Sequence, residues 1–167
     1  MADMDQWVPE PLYREFIARL PIACVDVAIV HRGAVLLVKR KDHPARGQWW
    51  VPGGRVRKGE KLRETAARKA REETGLECHV GPIVHTAETI FPDGPGGIPV
   101  HSINACFFLY PTHSAARPRL DRHHAAAKWV RTIAEDLHPY VVRCLEAAGL
   151  ERGRTAAGAR PRRRKRS

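Results

Sequence analysis

Residues 51–76 read VPGGRVRKGEKLRETAARKAREETGL, and this stretch decides the fold. At Gly53-Gly54 the missing Cβ atoms let the backbone turn and bare its carbonyl oxygens. Past Leu62 the period changes, because Leu62, Ala66, Ala70 and Glu73 recur at helical spacing. The spacing predicts a helix over residues 62–74, with Gly75 as its C-terminal stop. On that helix Lys69, Glu72 and Glu73 are neighbours, and Arg68 stacks over Glu72. Backbone carbonyls beside paired carboxylates make a hard, all-oxygen donor set of the kind Mg²⁺ or Mn²⁺ prefers. Arg40, Arg55 and Arg68 offer guanidinium forks for phosphate oxygens. Charge pattern alone also fits a solvated helix laced with Glu/Arg pairs.

Working outward, residues 9–20 (PEPLYREFIARL) read as a short amphipathic helix. Residues 22–30 and 34–40 are β-rich runs joined by the turn His31-Arg32-Gly33. A short apolar strand over 47–51 ends at the Pro-Gly-Gly turn. Strand-like runs follow at 77–90, 100–110 and 127–130, with FPDGPGGIP a turn-rich loop between the first two. A last helix starts near Pro139, a residue suited to a first helical position, and runs to Ala148. The order predicts an α/β fold with a mixed sheet and helices on both faces.

At 167 residues the chain suits one domain with short appendages. The boundaries expected are a helical segment at 1–20, the domain at 21–150 and a tail at 151–167. No apolar run is long enough to span a membrane, and the acidic start MADMDQW does not resemble a signal peptide. Cys24, Cys78, Cys106 and Cys144 lack CxxC spacing, so reduced thiols of a cytoplasmic protein are expected. The formal net charge of +11 is concentrated in the tail ERGRTAAGARPRRRKRS, which holds eight basic residues and one acid. Such a tail is expected to be disordered, with either a solubilising role or non-specific contact with nucleic acid or another polyanion.

The series Gly54, Glu60, Arg68, then Glu72-Glu73-Thr74-Gly75-Leu76 resembles the Nudix box. The resemblance implies a Mg²⁺-dependent hydrolase of nucleoside diphosphates linked to another moiety, and an α/β/α sandwich around a mixed sheet. One position departs: Lys69 stands where the box has a glutamate. An ammonium cannot ligate Mg²⁺, and its charge disfavours the extra cations that some members recruit, so one metal is expected.

The wider stretch PARGQWWVPGGRV, preceded by VLLVKR, resembles the GDP-mannose mannosyl hydrolase branch of that family. This branch also lacks the glutamate and cuts a sugar carbon–oxygen bond with inversion, using a histidine base on a distant loop. In LDRHHAAAKWV the resemblance places that base at His124, whose imidazole keeps a useful neutral fraction near neutral pH. It makes His123 a metal ligand, a donor better suited to Mn²⁺ than to Mg²⁺. The Gly53 carbonyl and Glu73 would hold the metal, with Glu72 orienting or acting through water. Asp26 and Arg40 would handle substrate, and Arg55 and Arg68 would lie near the phosphates. A homodimer is implied as well, and the apolar N-terminal segment with Trp7 and Phe16 suits one.

Without the resemblance, Asp26 reads equally as the polar face of an alternating strand, and His123-His124 as solvated loop residues. Ala125-Ala126-Ala127 and the loop at 91–99 differ from the branch, which supports a nucleotide sugar more than mannose. The competing expectations are a Nudix pyrophosphatase cutting phosphorus–oxygen bonds and a non-catalytic Nudix-like binding module.

Overall fold

The structure is a computed structural model that describes residues 8–153. Its elements run α1 (Glu10–Arg19), β1 (Ile22–His31), β2 (Ala34–Arg40), β3 (Trp49–Trp50), β4 (Gly53–Arg55) and α2 (Leu62–Thr74). Then follow β5 (Cys78–Phe91), β6 (Val100–Pro111), β7 (His124–Val130), β8 (Thr132–Ile133), α3 (Pro139–Ala147) and β9 (Glu151–Arg152).

The main sheet has the order β3-β2-β1-β6-β5, with β4 added on β1 and β7 on β2. β1 and β6 run parallel and the other pairs are antiparallel, so the sheet is mixed. Both faces are covered, which is why β1 and β2 read as nearly continuous apolar runs. Val25, Val27 and Ile29 pack with Ala66 and Ala70 of α2 on one face. Ala28, Val35 and Leu37 pack with Val141, Cys144 and Leu145 of α3 on the other. The expected sandwich is therefore the fold observed. Full burial of each of these branched side chains contributes roughly 1.5–3 kcal/mol.

Three local differences matter for the site. Gly53-Gly54, expected as a turn, belongs to a strand, with Gly53 paired to Asp26 and Arg55 to Cys24. β7 starts at His124, three residues before the expected boundary, so the histidine is fixed by pairing with Arg40. The tail was expected to begin at Glu151, but Glu151 and Arg152 pair in parallel with β8. Buried Leu150 anchors the chain just before them. Trp7, the start of the N-terminal segment and tail residues 154–167 lie outside the described residues. No helix among the described residues is long and apolar enough to cross a membrane.

Candidate active site

The last turn of α2 is held against β4 by contacts that only glycine permits. A Cβ on Gly53 would come within 2.6 Å of the Val25 carbonyl oxygen and closer still to the Asp26 carboxylate. On Gly54 it would meet Lys69 Cε at 2.9 Å, so the lysine stem lies across the strand. This close approach lets the Gly53 amide donate to Glu73 Oε2 at 3.0 Å.

Glu73 is buried, and its other oxygen, Oε1, meets Lys69 Nζ at 2.6 Å. Glu72 is more open and takes Arg68 Nη1 at 3.0 Å and Lys69 Nζ at 3.5 Å on Oε2. The ammonium thus sits between two carboxylates, as the sequence pattern anticipates. Glu72, Glu73 and a backbone carbonyl fit a hard dication in kind. Lys69 places a positive charge beside both acids, which opposes the gathering of more than one dication there.

Arg68, expected near the phosphates, grips its own neighbours in this structure. Its Nε and Nη2 donate to the two oxygens of Glu60, and Nη2 also reaches the Arg55 carbonyl at 3.0 Å. The Arg68 guanidinium holds the Glu60 carboxyl down at about 2. Arg68 is therefore a clamp that fixes the loop before α2 and orients Glu72.

The two histidines diverge. His123 is exposed, with Nδ1 against Asp42 at 2.5 Å and Nε2 receiving Arg122 Nε at 3.2 Å. The bond from His123 lowers the Asp42 carboxyl below its ordinary value. Among the described residues no three His, Cys, Asp or Glu side chains converge as a metal cluster. The contacts His123 makes in this structure are thus with Asp42 and Arg122, not with the expected fellow ligands Glu72 and Glu73. His124 is the one that turns inward. It is buried, Nδ1 pairs with Asp121 Oδ1 at 2.8 Å, and Nε2 lies 3.7 Å from Glu73 Oε2.

Asp26 lies on the other side of the Gly53 strand pair, buried at the floor of a cleft of about 190 Å³. Its Oδ2 accepts Asn104 Nδ2 at 2.8 Å and Tyr140 Oη at 2.6 Å. Burial outweighs those two bonds and raises the carboxyl to about 6. Arg40 and Arg55 line the same cleft. Arg40 Nε donates to the Pro44 carbonyl at 2.8 Å, and the Arg55 guanidinium stacks over Tyr13 at 3.8 Å. One buried acid, two guanidinium groups and the Glu73–His124 pair therefore meet around a single short strand.

A model of the NUDIX domain matches residues 21–140, most of the chain. The chain belongs to the NUDIX family. It is a Nudix hydrolase, a class that acts on nucleotide-derived substrates and generally uses divalent metals such as Mg²⁺. It is 35% identical over 144 residues to the low-salt glycan biosynthesis protein Agl8 of Haloferax volcanii, spanning 84% of this chain and 90% of that protein. It is 43% identical over 56 residues to an ADP-ribose pyrophosphatase of Methanocaldococcus jannaschii, covering about a third of each chain. Among solved structures, a MutT NUDIX hydrolase from Burkholderia pseudomallei superposes with a TM-score of 0.65 at 25% identity, covering 77% of this chain and 98% of that one.

Several site residues were not singled out from the sequence. Asp121 sits three residues before His124, and Asn104 is the lone amide in the apolar run INACFFL, so both left a faint signal. Tyr140 left none, since its bond to Asp26 spans 114 positions.

Proposed function

We propose that this Nudix hydrolase acts on a nucleoside-diphosphate sugar in the manner of a GDP-mannose mannosyl hydrolase. Water would attack the anomeric carbon, the carbon–oxygen bond to the diphosphate would break, and a nucleoside diphosphate and a free, inverted sugar would leave. The observation that carries this reading is the buried His124, held by half-buried Asp121 on one ring nitrogen and facing Glu73 with the other.

With Asp121 accepting the Nδ1 proton, the Nε2 lone pair of His124 faces the Glu73 side. A water lodged against Nε2 and Glu73 Oε2 would hydrogen-bond to both, and their separation of 3.7 Å leaves room for that triangle. His124 then takes the water proton as the new bond forms. Arg40 and Arg55 hold the diphosphate and offset the charge gathering on it. Asp26, next to Gly53, positions the sugar through its carboxylate. Glu73, Glu72 and the Gly53 carbonyl would hold one Mg²⁺, or Mn²⁺, whose charge stabilises the leaving diphosphate. Because the base comes from β7, Lys69 on α2 removes nothing that the reaction needs.

The likeness to a low-salt glycan biosynthesis protein over most of both chains supports a sugar-bearing substrate. A second reading, a pyrophosphatase cutting phosphorus–oxygen bonds, rests on the shorter likeness to an ADP-ribose pyrophosphatase. Hydrolysis of GDP-mannose in ¹⁸O-labelled water separates the two. Label in the free sugar is expected, whereas label in a phosphate product means pyrophosphate cleavage and ends the first reading. His124→Ala should lower kcat by roughly 10²–10⁴-fold under the first reading.

The reading extends to the protein's setting. Four unpaired cysteines suit a cytoplasmic enzyme. Exposed Leu12, Phe16 and Leu20 on and beside α1 suit a homodimer contact. The basic residues beyond 153 suit weak contact with a polyanion.

A further inference from the structure

One acceptor at the cleft floor is left without a partner. Residues two apart on a strand share a face. Cys24 and Asp26 of β1 and Ser102 and Asn104 of β6 accordingly line the same cleft, joined by Thr89 of β5. Asn104 is only 5% exposed, and its Nδ2 is committed to Asp26 Oδ2. Its Oδ1 is buried with no hydrogen-bond partner. Flipping the amide would set that oxygen against a carboxylate oxygen and orphan the NH₂ instead, so Asp26 fixes the orientation. Buried polar atoms are nearly always satisfied, and an unsatisfied one at a cleft floor calls for a donor from outside the chain.

The neighbouring groups narrow the donor. Thr89 Oγ1 and Ser102 Oγ lie 2.7 Å apart, and one proton serves that bond, leaving the other hydroxyl proton free to donate. An incoming group that shifts the lining enough to uncover Oδ1 therefore finds an acceptor at Asn104, and a donor at the hydroxyl pair that lines the same cleft. A hydroxyl group matches both, while an ammonium matches only the first. The space also suits one ring, since a cavity of about 150 Å³ already takes benzene.

We propose that Asn104 Oδ1 is a specificity-determining acceptor that takes a hydrogen bond from a ring hydroxyl of the substrate seated in this cleft. The proposal rests on the nucleotide-sugar reading and adds to it the residue that reads the ring. Discrimination by such a site is steep, because an analogue lacking the hydroxyl leaves a buried acceptor unpaired.

The test measures kcat and KM for GDP-mannose, its monodeoxy-mannose analogues and its 2′- and 3′-deoxyribose analogues. Wild type, Asn104→Leu and Tyr140→Phe are compared. Wild type should lose about tenfold or more in kcat/KM on one analogue. Asn104→Leu should lose a similar factor on GDP-mannose, mainly through KM, and no longer distinguish that analogue. Tyr140→Phe removes the other donor to Asp26 but keeps the acceptor, and should retain the discrimination. A sugar analogue that fails identifies the hexose as the ring read, and a ribose analogue the nucleoside. The inference is overturned if wild type accepts every deoxy analogue equally, a result that needs no variant to fold. It is also overturned if Asn104→Leu keeps full discrimination, or if Tyr140→Phe erases it to the same degree. No turnover of any nucleotide sugar would overturn the functional reading along with it. Equal turnover of all analogues would overturn the inference alone.

Discussion

Gly53 illustrates how much one missing methyl group decides. A side chain there would press on the Val25 carbonyl and the Asp26 carboxylate while its amide was still needed by Glu73. Gly53→Ala should destabilise the protein by roughly 1–3 kcal/mol in chemical denaturation, since β4 must move away from β1. The same displacement loosens the Glu73 contact, so turnover should fall beyond any loss of folded protein. Lys69 is the other decisive residue. Its ammonium meets Glu73 at 2.6 Å, and its stem lies on Gly54. Mn²⁺ titration followed by electron paramagnetic resonance should show a single strong site in wild type. Lys69→Glu replaces a positive by a negative charge there, and should add a second. Two strong sites in wild type would contradict the one-metal account.

The element that organises the site is α2 with its flanks. Gly75 ends it in the left-handed region at φ 67°, where glycine is favoured, and returns its amide to the Arg71 carbonyl. At the start, Glu60 ties the preceding loop to the helix through Arg68, Thr65 Oγ1 and the Arg57 amide. Its carboxyl is held at about 2, against an ordinary 4.5. A depressed carboxyl stabilises the fold above its unfolded value and loses that contribution as pH falls through its folded value. The Glu60 contribution is thus complete above pH 4.5 and fades towards about pH 2. Urea denaturation of wild type and Glu60→Gln across this range should show a stability gap that closes as pH drops. A gap constant with pH would mean the charge is immaterial. Most of this element was legible beforehand: the helical period, the Gly75 stop and the Lys69–Glu72–Glu73 cluster all follow from spacing. The strand character of Gly53-Gly54 was not, because a two-glycine sequence carries no β signal until β1 lies beside it.

At the scale of the molecule, two sheet faces divide the work. The α2 face supplies the acids and the lysine, and the α3 face supplies the cleft that Asp26 and Asn104 floor. The chain beyond residue 153 is rich in arginine and has almost nothing apolar to dock on either face. Deleting residues 154–167 should leave the thermal midpoint within about 1–2 °C and turnover unchanged, while weakening retention on heparin. A large fall in midpoint would show that the tail packs on the domain.

What the sequence by itself determined was periodicity and covalent neighbourhood. It carried the alternation of helices and strands and the acidic pair with its lysine. Each of these lies within a few residues along one helix or strand, where geometry is fixed by the backbone repeat. Tertiary structure decided which of two adjacent histidines turns inward and what Arg68 grips. It also brought Tyr140, Asn104 and Gly53 to Asp26. Those outcomes join β1, β4, β6 and α3 across long stretches of chain. They depend on which side chains are buried together, and no local repeat encodes that.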